Sequence, residues 1–295
     1  MIRTANYNFH QPKQPTNQTK TIMLNPSTTI IPTRKAYDSL VALNCSGSKE
    51  LLKSPLHFQA YLRREQSDSK ALRMGSFIHA LVLEPSEVEG RFATAPEVDR
   101  RTKDGKAAYE AFAATSLGKT ILSPDETDVC LKVAASMRAT QAELGVTFIK
   151  TELMFSVDYN GVLLKCAIDA LGDDGFIYDL KSAESSSVKD FKSSVFAYRY
   201  HLQAVMYRMA YEAAFNTRLK GFRFIVTEKT DPFASACYEL GPEFMSLALM
   251  DFEIALAAYK SCMALGEWPG YGSAPQVIDI ASKPSAPASI PIQFA

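Results

Sequence analysis

"TELMFSVDYNGVLLKCAIDALGDDGFIYDLKSA", residues 151–183, carries the reading on which the fold turns. Apolar residues alternate through "TELMFSVDY", "VLLKCAIDAL" and "GFIYDLKSA", and Asn160-Gly161 between the first two is the dipeptide that favours a tight type I′ hairpin turn. Three consecutive strands are therefore expected. The last two meet at Gly172-Asp173-Asp174-Gly175 and place Asp169 and Asp179 in an otherwise apolar hairpin, with Lys181 two residues beyond the second acid. Strand side chains alternate with period two, so Asp179 and Lys181 point to the same face.

Working outward, the upstream half has helical spacing. "RKAYDSLVALN", "SKELLKSPLHFQAYLRRE", "LRMGSFIHALVLEP" ended by Pro85, and "SPDETDVCLKVAASMRATQAELG" each carry it. The last opens with a capping box, Ser123 with Glu126, has Pro124 at the first helical position, and stops at Gly145. Downstream, one long helix is expected from about Val188 to Phe215. A second hairpin, "GFRFIVTEKTDPFASACYEL", follows, and then a helix from Pro242 to Leu265 closed by Gly266. The pattern predicts an α+β fold with strands clustered in the second half. Residues 1–34 and 270–295, rich in Asn, Thr, Gln, Pro, Ser and Ala, read as flexible tails around one domain over 35–269.

Thirty-two basic residues balance 32 acidic ones, so any polyanion site must be a local patch. The five scattered cysteines form no CxxC pair, which suits reduced thiols in the cytoplasm and argues against structural zinc. No apolar run approaches the roughly 20 residues of a membrane helix, and no signal peptide is legible at the start. A soluble protein without a membrane partner is expected.

The hairpin suggests metal-assisted phosphodiester chemistry. Magnesium takes oxygen ligands and keeps several waters, so Asp169, Asp179 and the Leu180 carbonyl suit it, and manganese is expected to substitute. Lys181, which cannot ligate while protonated, can hold a water or a phosphate as a compact charge. Read alone, the same residues also suit a surface ion pair between Asp179 and Lys181 beside a solvated Asp169. Two other features bear on the choice. Gln203 and Tyr207, four apart in "YRYHLQAVMYRMAY", share a helical face with Tyr200 and Tyr211, which by themselves suit ordinary core aromatics. His79 is an imidazole on an apolar helix, either a hydrogen-bonded core residue or a metal ligand.

In this order along the chain, His79, Asp169 and Asp179 with Lys181, and Gln203 with Tyr207 resemble the signature of the PD-(D/E)XK nuclease superfamily in its RecB-like branch. "ALRMGSFIHALVLEP", "DRRTKDGKAAYEAF", "YDLKSA", "YRYHLQAVMYRMAY" and "GEWPGY" resemble more narrowly the phage and prophage exodeoxyribonuclease VIII group, over about residues 38–271. The resemblance implies a central mixed sheet flanked by helices and magnesium-dependent digestion of linear double-stranded DNA from 5′ ends. It also implies recombination with a single-strand annealing protein, in the cytoplasm of a bacterial host where the gene is phage-borne. Ring-like homo-oligomers, tetramers among them, belong to the same picture. It makes His79, Asp169, Asp179 and the Leu180 carbonyl metal ligands, Lys181 the catalytic lysine, and Gln203 and Tyr207 the residues that orient the site or the DNA. The nominal proline-aspartate is here Ile168-Asp169, and the second acid is the Asp of "DLK"; the carboxylate count is unchanged. Glu152, in the first strand, is a further candidate for the acidic cluster. The iron–sulfur cluster of some RecB-like relatives needs four grouped cysteines, so none is expected here.

A neutral DNA-binding protein must still concentrate cations along the duplex. Arg100, Arg101, Lys103 and Lys106 are expected in a loop, and Lys189, Lys192, Arg199 and Arg208 on the long helix; each group also suits a solvated face. Competing readings are a non-catalytic DNA-binding or assembly protein that keeps the fold, a metal-dependent endonuclease, and a phage structural protein with a chance motif.

Overall fold

The computed structural model describes residues 24–64, 69–273 and 275. The chain runs β1 (Thr29–Ile30), α1 (Arg34–Ser39), α2 (Cys45–Leu51), α3 (Pro55–Arg63), α4 (Lys70–Leu83), α5 (Val88–Arg91), β2 (Phe92–Thr94), α6 (Lys103–Thr115), β3 (Thr120–Leu122) and α7 (Pro124–Glu143). It continues through β4 (Phe148–Tyr159), β5 (Val162–Gly172), β6 (Phe176–Ala183), α8 (Val188–Ala197), α9 (Tyr200–Phe215), β7 (Gly221–Glu228), β8 (Ser235–Glu239) and α10 (Pro242–Leu265). Helix starts follow local chemistry. Thr33, Asn44, Ser54, Ser69, Thr102, Ser123 and Ser187 each accept a hydrogen bond from a backbone N–H of the first turn, worth about 1 kcal/mol apiece. The expected capping box of Ser123 and Glu126 is formed, and Gly266 ends α10 in a left-handed conformation.

Six strands form one mixed sheet in the order β1-β4-β5-β6-β7-β8. The β4–β5 hairpin closes through Asn160 and Gly161, both at positive φ, as the dipeptide predicts. The β6–β7 pair is parallel, because α8 and α9 carry the chain across one face between them. The layers divide cleanly. On one face Phe155, Ile168, Ile177 and Phe224 pack with residues of α9, α10, α2 and α3; on the other Tyr178, Leu180 and Ile225 pack with α4 and α7. This is an α+β fold with a mixed sheet flanked by helices, as expected.

The elements differ from the sequence reading in several places, among them a separate parallel pair of β2 and β3 in the helical half. Residues 188–215 are not one helix: Arg199 adopts a left-handed conformation (φ 49°) and separates α8 from α9. Lys103 and Lys106 lie in the first turns of α6 rather than in a loop, because Thr102 caps the helix there, and only Arg100 and Arg101 remain outside it. The helix expected over "RKAYDSLVALN" ends at Ser39, since Leu43 bridges to Leu164 of β5. Thr29 and Ile30, within the segment read as a tail, pair antiparallel with Ser156 and Phe155 of β4. Of the expected tails, residues 1–23, 274 and 276–295 lie outside the described residues. Near the other boundary, the Leu56 N–H donates to the Pro269 carbonyl and the Tyr271 ring lies 5.4 Å from His57.

Candidate active site

Strands β5 and β6 pair only at Ala170 with Tyr178 and at Leu171 with Ile177, and then part. The backbone N–H of Leu180, left without a ladder acceptor, donates instead to Asp169 Oδ2 at 2.8 Å. A carboxylate thus does the work of a missing carbonyl and lies in the fork of the sheet. The other groups reach this fork from both faces. From α4, His79 places Nε2 3.1 Å from the Leu180 carbonyl oxygen, and Nδ1 3.6 Å from Asp169 Oδ2 and 3.8 Å from Glu152 Oε1. From α9, Gln203 donates through Nε2 to Asp179 Oδ2. The Lys181 ammonium is ion-paired with Asp179 Oδ1, which is buried and accepts no hydrogen bond of good geometry.

Glu152, the further candidate for the acidic cluster, joins it from β4. Seven residues back from Tyr159 and seven on from Val162, the hairpin register sets it opposite Asp169, between the Thr151–Ala170 and Leu153–Ile168 pairs. Two acids opposed across strands repel. Glu152 is also at φ 46° inside a strand, a conformation that costs a non-glycine residue on the order of 1–3 kcal/mol. Cations offset the repulsion: against burial, which pushes the Glu152 carboxyl up, His79 first and then Arg34, 3.4 Å from Oε2, and Arg91 hold it below its usual range. The turn dipeptide alone permits this counting, so the pairing was legible in the sequence.

The charges answer one another. Burial pushes the His79 imidazole down, but Asp169 and Glu152 outweigh it and raise the pKa to about 9. Burial, assisted by Asp179 and Glu152, raises Asp169 to about 6 against the pull of His79 and Lys181. Lys181 loses solvation yet is held above its ordinary value by Asp179 and Asp169, so it is cationic at neutral pH. Its Nζ sits 4.8 Å from the centre of the Tyr200 ring, whose face further favours the charge.

His79, Glu152 and Asp169 each bring one ligand atom to within 4.8 Å of the others. One imidazole with several carboxylate and carbonyl oxygens, in a cluster that draws a proton onto its histidine, fits a hard divalent cation. Asp179 is not part of that triad; Lys181 and Gln203 hold it beside the fork.

The remaining candidates fall elsewhere. Tyr207, one turn beyond Gln203, is buried with its ring 6.4 Å from Phe222, and its hydroxyl is pushed well up by burial. Arg199 is ion-paired with Asp251 at 2.7 Å, which ties one of its guanidinium nitrogens to α10. Arg208 pairs with Glu212 one turn on, Arg101 with Asp99, and Arg100 covers the Tyr109 ring. Lys103, Lys106, Lys189 and Lys192 are exposed. The contacts of Arg34, Tyr200 and Asp251 had no signal in the sequence, because each meets its partner through tertiary packing.

Residues 44–279 match the family described as "PDDEXK-like domain of unknown function (DUF3799)". No curated protein sequence matches the chain. Among solved structures, a "Putative exonuclease" from Eubacterium rectale is similar in fold, with a TM-score of 0.57 at 15% identity over 81% of this chain and 90% of that one. A second, SSO0001, has a TM-score of 0.27 at 11% identity over 73% of this chain and 83% of that one, too low to bear on the fold. The match spans the helix that carries His79, the fork with its acids and lysine, and α9, and the chain belongs to this PDDEXK-like, nuclease-type family.

Proposed function

We propose that the protein is a divalent-metal-dependent exodeoxyribonuclease that degrades linear double-stranded DNA, 5′ to 3′, leaving 3′ single strands for a strand-annealing recombination partner. The observation that carries the nuclease reading is the convergence of His79, Glu152 and Asp169 on the fork of the sheet, beside the buried pair of Asp179 and Lys181. The exonuclease polarity, magnesium as the working ion and the annealing partner rest on the resemblance of the quoted motifs.

His79, Glu152, Asp169 and the Leu180 carbonyl are the groups that would hold the cation, with the Asp179 carboxylate, engaged by Lys181 and Gln203, beside them. When bound, a divalent ion neutralises charge on the phosphate and lowers the pKa of an attacking water. The chain's own part is to place and orient. Lys181, charged and fixed against Asp179 and the Tyr200 ring, holds the water or a phosphate oxygen in line with the scissile bond. Gln203 fixes the carboxylate plane of Asp179 from α9, and Arg34, at the rim beside Glu152, can meet a neighbouring phosphate.

The test is digestion of linear and covalently closed circular duplex with Mg2+, with and without chelator. The wild type is expected to consume the linear form, spare the circle, and stop when the metal is removed. Asp179→Ala is expected to lose digestion while keeping its circular dichroism spectrum. A fully active Asp179→Ala, or cutting of the closed circle, would overturn the assignment.

A further inference from the structure

Beside Lys181 lies a cavity of about 510 Å³ whose lining includes Lys181, Ser185, Ser194, Tyr198, Tyr200 and Lys229. In a continuous helix, residues two apart do not face each other. Here the left-handed Arg199 lets Tyr198 and Tyr200 meet, with ring centres 5.5 Å apart and planes inclined by 31°. Tyr200 in turn lies over the Lys181 ammonium, so the two rings lead outward from the catalytic lysine. Tyr198 is 60% exposed, and its contact with Tyr200 leaves much of a large aromatic ring facing solvent. A ring in that state offers a stacking surface.

The charged groups of the cavity beyond Lys181 are already engaged. Lys229 is ion-paired with Glu184, and Asp190 accepts a hydrogen bond from the Ser187 hydroxyl. Beyond Lys181, a phosphate entering here would meet only Lys229, already paired with Glu184, and would face Glu184 and Asp190 as well. An uncharged planar group with hydrogen-bonding edges meets none of that repulsion, and the cavity is of the size that takes such groups. The geometry points to a nucleobase subsite: the base next to the scissile phosphate, on the strand being cut, stacks on Tyr198 and extends the Tyr200–Lys181 column. This rests on the nuclease reading and adds to it the base that would be gripped while Lys181 holds the backbone.

The test uses the full chain with Mg2+ and a blunt duplex carrying 2-aminopurine at its end, with phosphorothioate linkages there to block cleavage. Wild-type protein is expected to quench the 2-aminopurine. Tyr198→Ala should abolish the quench and raise KM for unmodified linear duplex roughly ten-fold, with a smaller effect on kcat, and Tyr198→Phe should restore both. The ring is mostly exposed, so neither change threatens folding. Wild-type digestion without any quench, or a quench that survives Tyr198→Ala, would overturn the subsite. So would a preference for 5′-phosphorylated ends that vanishes in Lys229→Met, since that assigns the cavity to phosphate. Absence of digestion by the wild type would instead overturn the nuclease reading underneath.

Discussion

At the scale of single residues, the site is a set of charges that are costly apart and stable together. In metal-free protein the His79 proton stands where a dication is favoured, with Asp169 and Glu152 as its counter-charges. A folded-state pKa above the unfolded one means that the native state binds protons more tightly, so stability falls as pH rises. For His79 that contribution is complete below its ordinary 6.5 and lost through about 9; for Asp169 it is complete below 3.8 and lost through about 6. Glu152, held low, works in the opposite sense: its contribution is present above its ordinary 4.5 and is lost on acidification. Between pH 6.5 and 9, then, chelator-treated protein should lose thermal stability, and added Mg2+ should restore most at the upper end. Metal binding must displace the His79 proton. Titration calorimetry near pH 7.5 in two buffers of different ionisation enthalpy should therefore show net proton release; binding with no release would contradict the ligand set.

At the scale of elements, the break between α8 and α9 sets the geometry of the lysine side of the site. A left-handed arginine costs on the order of 1–3 kcal/mol and persists only where its surroundings hold it. Asp251 of α10 does so, accepting from Arg199 at 2.7 Å and lying 3.0 Å from Nε2 of the buried His201. Tyr200 and Gln203 follow directly, and from there reach Lys181 and Asp179. Asp251→Ala leaves a buried imidazole and a guanidinium without that acceptor. It is expected to cost about 1.5–3 kcal/mol in urea denaturation and to lower digestion, whereas a substitution at exposed Lys192 should do neither. Unchanged stability and activity in Asp251→Ala would mean that the break holds itself.

At the scale of the whole molecule, two cores clasp the sheet, and the fork sits between them, so both must be packed for the site to exist. Phe155 is fully buried in β4, edge-on to Tyr211 and Phe215 of α9, and so links the sheet to the helix that bears Gln203. Phe155→Ala is expected to cost about 3–5 kcal/mol. The chain has one tryptophan, Trp268, stacked on Phe58 at 5.3 Å, and its fluorescence in urea should report that loss. A loss well under 1 kcal/mol would show that α9 is held independently of this contact.

What the sequence settled by itself was local. Period-two alternation, Asn160-Gly161, the Ser123 box and Gly266 place strands, turn and helix ends because each depends on a few neighbouring residues. The order of His79, Asp169, Asp179, Lys181 and Gln203 carried the family, because it can be read along the chain without knowing which residues meet. Tertiary structure alone decided the rest. Helical pattern could not show that Arg199 leaves the helix, because the partner that holds it, Asp251, is 52 residues away and arrives only when α10 packs. Nor could it show β5 and β6 parting, since the acceptor for the Leu180 N–H is a side chain that both core faces must first bring into the fork.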